Sequence, residues 1–292
     1  MIPADLAAKP GFARITLDVK GLTAGAGAAS RLEIGDLALF SGKKQIPIRF
    51  FSREPVAIGI LVDSSGSMAR KLPQTKIALG QFVDDLDPPD EIFLVAFSSE
   101  PFLLQPSTTD HALIKLRLSL LYAQGETAIF DSLYDATVTL NSACEHRKAL
   151  FLITDGEDNA SEYGQSDVIA RLEKLQIPVY SIGVGKPVGP GVFAFLASDV
   201  NKVDMSALNA LAQPNGGQAY NVSDVGNGDQ LKADVSEIAA AIDNRYVLGF
   251  IEGGAAGGPL RLEVHDHLGI EVRVDNPAVE VVEVGGTRNG GI

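Results

Sequence analysis

The sequence predicts an α/β protein: an open, mostly parallel sheet with helices on both faces, inserted into a small β-sandwich assembled from the two ends of the chain. Three observations carry that expectation. The middle of the chain alternates short, wholly apolar runs with amphipathic stretches, as strands buried on both faces and the helices that cover them require. Both flanks instead alternate in polarity with period two and are broken by hairpin turns. Neither flank has enough strands to bury an apolar face alone, but together they offer six or seven, enough for a sandwich. The 292 residues then divide into 1–54 and 245–292, the two parts of the sandwich, and 55–244, the α/β unit.

The elements follow in order. In the first flank Ala13–Val19 and Leu37–Phe40 read as strands, Ser41-Gly42-Lys43-Lys44 as a turn and Ile46–Phe51 as the return strand. Val56–Val62 is apolar throughout and reads as a fully buried strand. Thr75–Leu86 is amphipathic, with Ile77, Leu79, Phe82, Val83 and Leu86 on or near one face, and Pro88-Pro89 stops it. Glu91–Phe97 is the next strand and Phe102–Leu104 a short one. Only four residues separate these two, too few for a parallel crossover, so the short strand pairs antiparallel. Asp110–Leu121 is a helix with Thr109 as N-cap and Leu113, Leu116, Leu120 and Leu121 on its apolar stripe. It returns the chain to the carboxyl edge of the sheet and leaves Thr127 there. Helix Ala128–Leu140 leads to a central strand, Ala149–Ile153. Ser166 caps Asp167–Leu175, Pro178–Val184 is a strand, Asp204 caps Met205–Ala212, Gly217–Asn221 is an edge strand and Gln230–Ile242 closes the unit. The second flank supplies Tyr246–Ile251, a glycine-rich turn at 253–258, Leu260–Val264 and Ile270–Val274; the tail from Val279 adds a strand before a frayed end.

Composition excludes several classes. Twenty-four basic against 37 acidic side chains leave a net charge of −13, which disfavours nucleic acid and anionic membranes as partners. Cys144 is the only cysteine, so no internal disulfide forms; it falls in a helical pattern as a small packed side chain. The start of the chain has no basic region followed by an apolar one, and no run of 18 or more apolar residues occurs. The chain as given is expected to be soluble.

The chemistry concentrates at Asp63-Ser64-Ser65-Gly66-Ser67, directly after the first buried strand. The carboxyl edge of an open α/β sheet is where ligands collect. A carboxylate and two hydroxyls at alternating positions, with Gly66 permitting a tight bend, form an oxygen-only donor set that suits a hard cation and argues against zinc. The Asp-x-Ser-x-Ser pattern resembles the metal-ion-dependent adhesion site (MIDAS) of von Willebrand factor type A (VWA) domains. That family adds a threonine on a second loop and an aspartate on a third, and this chain offers Gly125-Glu126-Thr127 and, after Ala149–Thr154, Asp155-Gly156-Glu157-Asp158. The flank segments Leu32–Gln45 and Arg245–Phe250 resemble the bacterial "VWFA-related" group.

The resemblance implies a Rossmann-like VWA domain in which Ser65, Ser67 and Thr127 touch a metal directly while Asp63 and Asp155 act through water. It implies Mg²⁺, with Mn²⁺ or Ca²⁺ as alternatives, and a protein partner presenting Asp or Glu. It points to a secreted, periplasmic or cell-surface adhesion module without catalytic residues. Two other readings stay open: a cytoplasmic assembly module acting beside an ATPase of the chelatase kind, and, remotely, a metal-dependent phosphatase. No nucleophile elbow or phosphate-loop fingerprint is present, and His111, His146, His265 and His267 form no triad.

The neighbouring acids have plainer readings. Glu157 and Asp158 are expected to be solvated loop charges, Glu126 to face solvent and Ser64 to serve as a loop hydroxyl. Asp131 either braces the threonine loop, sits in the water shell of the ion, or answers a helix dipole. Removing Asp63 as alanine is expected to abolish ion binding with the fold largely intact. The last helix runs through Asn244-Arg245 straight into a flank strand, so a shift of that helix on ligand capture would be passed to the flanks.

Overall fold

A computed structural model describes residues 2–20, 32–143, 147–187, 202–223, 228–252, 259–265 and 270–284. The elements in chain order are α1 (Ala4–Ala7), β1 (Phe12–Lys20), β2 (Leu37–Ser41), β3 (Lys44–Ile46), β4 (Ile48–Arg53), β5 (Val56–Asp63), α2 (Leu72–Asp85), β6 (Glu91–Phe97), β7 (Pro101–Thr108), α3 (His111–Ser119) and α4 (Ile129–Ala143). There follow β8 (Arg147–Thr154), α5 (Gln165–Leu175), β9 (Val179–Val184), β10 (Lys186–Pro187), β11 (Lys202–Val203), α6 (Met205–Ala212), β12 (Ala219–Val222), α7 (Asp229–Ile242), β13 (Arg245–Ile251), β14 (Leu260–Val264), β15 (Glu271–Val274) and β16 (Val279–Glu283). The chain divides into two compact units, Pro55–Ala239 and the two ends, Met1–Glu54 with Ala240–Ile292.

In the Pro55–Ala239 unit a six-stranded sheet runs β12-β9-β8-β5-β6-β7. All neighbours are parallel except β7, which lies antiparallel to β6, as a connection of only three residues, 98–100, demands. Strand β5 is buried at every position, and so are β8 from Ala149 onward and all of β9. Alternation divides their side chains between two helical layers. Ala57, Leu61, Leu150 and Leu152 join the cluster that includes Leu133 and Leu140 of α4, Val168 and Leu172 of α5, and Leu208 and Leu211 of α6. Phe151, one residue out of phase, meets Phe82 of α2 with ring centroids 4.7 Å apart. Gly59 admits the neighbouring strand's aromatic ring, since a β-carbon there would fall 2.3 Å from Phe93.

In the other unit two four-stranded sheets, β15-β1-β13-β4 and β16-β14-β2-β3, contribute to one apolar core. Ile15, Leu17, Tyr246, Leu248 and Phe250 come from the first sheet and Leu39, Leu262, Val264 and Val279 from the second. Strands from both ends of the chain pair directly: β1 with β13, and β2 with β14. That is why neither flank suffices by itself. Gly42 takes a φ of +58° in the turn joining β2 to β3.

Several local expectations are corrected. The cap of α3 is Asp110, whose Oδ1 accepts the Leu113 N–H at 3.1 Å, and not Thr109. The buried stripe of α3 is Ile114 and Leu118; Leu116 and Leu120 lie on the opposite side, 59% and 56% exposed. Ile77 is likewise exposed on α2. Helix α5 starts at Gln165, with the Asp167 side chain accepting the Gly164 N–H, so Ser166 is not its cap. Strand β7 extends to Thr108, well past the three residues expected. The readings for Cys144, His146, His267, the 253–258 turn and the end of the tail lie outside the described residues.

Candidate metal centre

Strands β5 and β8 are adjacent and parallel, so their carboxyl ends deliver Asp63 and Asp155 to the same edge of the sheet. Both are buried, at 0% and 1% exposure. Beyond Asp63 the chain turns through Ser64 and Ser65 into a 3-10 turn, Gly66–Arg70, ahead of α2. The Ser65 N–H donates to Asp63 Oδ1 at 2.8 Å, and Ser64 Oγ donates to the Phe97 carbonyl, away from the site. Ser65 Oγ and Ser67 Oγ lie 3.0 Å apart, and Ser67 Oγ donates to Asp155 Oδ1 at 2.7 Å. Thr154 Oγ1 donates to Asp63 Oδ2 at 2.5 Å, closing the connection between the first and third loops.

The second loop is tied to both others. Gln124 N–H donates to the Ser64 carbonyl at 2.7 Å and Gly66 N–H to the Gly125 carbonyl at 3.0 Å. Gly125 holds a φ of +78°, with Ser99 Oγ 2.9 Å from where a β-carbon would stand. Thr127 is buried and clamped to Asn159 in both directions, its N–H donating to Asn159 Oδ1 at 2.8 Å and its carbonyl accepting the Asn159 N–H at 2.9 Å. Thr127 Oγ1 faces Gly156, beside Asp155, so close that a β-carbon on Gly156 would sit 3.4 Å from it. The three loops therefore converge, and Asp63, Ser65, Ser67, Thr127 and Asp155 all lie where they meet.

Two buried carboxylates meet at this cluster. Burial pushes the Asp63 carboxyl above the ordinary carboxylate range; hydrogen bonds from Thr154 and Ser65 oppose that rise and the charge of Asp155 adds to it. The donors are hydroxyl and carboxylate oxygens, the chemistry of a hard divalent ion. Among the described residues no group of three or more His, Cys, Asp or Glu side chains gathers as a metal site, here or elsewhere; this cluster has two carboxylates, and its other oxygens are hydroxyls. The residues present thus fit the ion that the motif implies.

Three participants escape sequence reasoning. Lys71 Nζ donates to Asp155 Oδ2 at 2.7 Å, in an ion pair whose side chains are 12% and 0% exposed. The available signal was an awkward one: a cation at the N-terminus of a helix, where positive charge is disfavoured. Thr154 and Asn159 act only through partners distant in sequence. Two acids change role. Asp158 is a brace and not a solvated charge, accepting from the Phe130 N–H, the Ser161 N–H and Ser161 Oγ. Asp131 accepts the Glu162 and Tyr163 N–H groups at 2.9–3.0 Å and so holds the third loop. Glu126 and Glu157 are exposed.

The von Willebrand factor type A domain model matches residues 57–234. The chain is 31% identical over 158 residues to inter-alpha-trypsin inhibitor heavy chain H4 of Bos taurus, covering 49% of this chain and only 17% of that relative's length. It is 28% identical over 236 residues to a UPF0353 protein of Mycolicibacterium paratuberculosis, covering 73% of this chain and 67% of that one. Among solved structures, a von Willebrand factor type A protein from Catenulispora acidiphila aligns with a TM-score of 0.53 at 16% identity, over 93% of this chain and 74% of that one. Proximal thread matrix protein 1 of the mussel byssus, with a zinc-occupied MIDAS motif, gives a TM-score of 0.53 at 18% identity, over 69% and 49%. Among the described residues no helix is long and apolar enough to cross a membrane. A family match over more than half of the chain, on a parallel sheet whose carboxyl edge gathers these loops, is decisive: the chain belongs to the von Willebrand factor type A domain family.

Proposed function

We propose that the three loops hold a divalent cation and that the protein is a non-enzymatic binding module, capturing an acidic side chain of a protein partner through that ion. Ser65, Ser67 and Thr127 would supply neutral oxygens and Asp63 and Asp155 the charge, with Mg²⁺ the first choice and Mn²⁺ or Ca²⁺ the alternatives. The family fits protein interaction in general. The observation that carries it is the unbroken chain of contacts Ser65–Ser67–Asp155, which joins residues 88 positions apart at a sheet edge. The zinc described for the mussel protein belongs to that protein; an all-oxygen donor set favours a harder ion. When bound, the ion supplies an open coordination position for an anionic oxygen, and a carboxylate from another chain fits it.

A donor set in which three neutral hydroxyls, Ser65, Ser67 and Thr127, outnumber the two carboxylates supports binding over turnover. A place outside the cytosol, on the cell surface or in the periplasm, accords with an adhesion role. The test is affinity capture of a partner from source extracts in Mg²⁺ and in EDTA. Capture that survives chelation unchanged would refute the metal-bridged reading.

A further inference from the structure

Among the described residues Lys71 is the one cation at this centre, and neither the metal motif nor the protein-capture reading requires it. It sits between the 3-10 turn Gly66–Arg70 and α2, and its backbone is fixed there: its carbonyl accepts both the N–H and the Oγ1 of Thr75, at 3.0 and 3.1 Å. Its neighbour Arg70 faces solvent, whereas Lys71 turns inward with a side chain only 12% exposed. Among the described residues its ammonium is the only cation paired with either site carboxylate. It takes Asp155 Oδ2, while Ser67 takes Oδ1. Any cation that Asp155 receives must therefore share that carboxylate with Lys71 or displace it.

Charge counting gives the consequence. Asp63, Asp155 and Lys71 sum to one negative charge, so a divalent ion leaves the centre with one positive charge. Without Lys71 the same ion would leave it neutral. A buried like charge beside the ion weakens retention of the ion alone and strengthens attraction for an incoming anion.

We propose that Lys71 is a resident counter-ion that competes with the divalent metal for Asp155 and keeps the loaded centre cationic, so that tight metal binding depends on the arrival of a carboxylate. This rests on the metal reading above and adds to it a residue that sets how the two ligands are coupled. Positive coupling of this kind is reciprocal: the anion tightens the metal and the metal tightens the anion.

The experiment is a calorimetric titration of the full chain with Mn²⁺, without and with acetate as the carboxylate probe, on wild type, Lys71→Met and Lys71→Arg. Lys71→Met is expected to bind Mn²⁺ at least about tenfold more tightly than wild type in the absence of acetate. It is also expected to lose most of the tightening that acetate confers, and Lys71→Arg to behave as wild type. Should Lys71→Met not fold, Lys71→Gln, which keeps an N–H donor without the charge, carries the same comparison. Equal or weaker Mn²⁺ binding by the uncharged variant, with wild type binding normally, would overturn the role of Lys71 and leave the metal site standing. No Mn²⁺ binding by any of the proteins would overturn the metal reading, and this inference with it.

Discussion

Asp63→Asn is the most informative single substitution. The carboxylate is 0% exposed and accepts from the Ser65 N–H at 2.8 Å and from Thr154 Oγ1 at 2.5 Å. Alanine would leave two buried donors without an acceptor, at about 1–3 kcal/mol each, so a loss of roughly 2–6 kcal/mol is expected. Asp63→Ala thus confounds metal loss with unfolding, and the expectation that it spares the fold does not suit so buried a residue. Asparagine keeps an oxygen for Ser65 and an amide that Thr154 can accept from, while removing the charge. Saturating metal at a hundredfold excess over its dissociation constant stabilises the native state by about 2.7 kcal/mol. For a unit of this size that corresponds to a rise of roughly 5–10 °C in the unfolding midpoint. Scanning calorimetry with Mn²⁺ and with EDTA should show that rise in wild type and none in Asp63→Asn. In EDTA the variant should melt at or above the wild-type midpoint, because a buried charge facing Asp155 has gone. A variant that keeps the metal-dependent rise would refute the assignment of Asp63 to the metal.

Asp131→Ala frees the Glu162 and Tyr163 N–H groups and should cost about 1–3 kcal/mol in urea unfolding; no change would mean that solvent replaces the brace. Gly217→Ala would put a β-carbon 2.0 Å from the Val179 carbonyl oxygen, where only backbone can yield, and should cost about 3 kcal/mol or more by the same assay. Asp234→Asn on α7 tests a buried acid. Burial raises the Asp234 carboxyl, the nearby Glu237 raises it further, and the hydrogen bond from Gln230 opposes them. A raised folded-state value means that the ionised form costs stability above it. The asparagine variant should therefore be the more stable near neutral pH, the gap closing as pH falls through that raised value towards the unfolded carboxyl's 3.8. A gap that widens on acidification would contradict the sign.

What was legible in the chain alone is what local chemistry dictates. The wholly apolar run Val56–Val62, short and rich in β-branched residues, reads as a strand buried on both faces, and the four residues between Phe97 and Phe102 cannot span a parallel crossover. With the helix after β7 returning the chain, those facts bring Asp63 and Thr127 to one edge. Asp204 caps α6 as its position announced, because an N-cap is satisfied within three residues. Tertiary packing decided the rest. Which leucines of α3 are buried depends on where its neighbours lie, and Leu116 and Leu120 face away from them. Asp158 and Asp131 became braces between elements because the Phe130 and Glu162 N–H groups they serve lie about thirty residues away along the chain. Above all, no periodicity places the Lys71 ammonium on Asp155, 84 positions on. Charge pairing across a sheet edge is a property of the folded surface, and only the fold supplies the distance over which it acts.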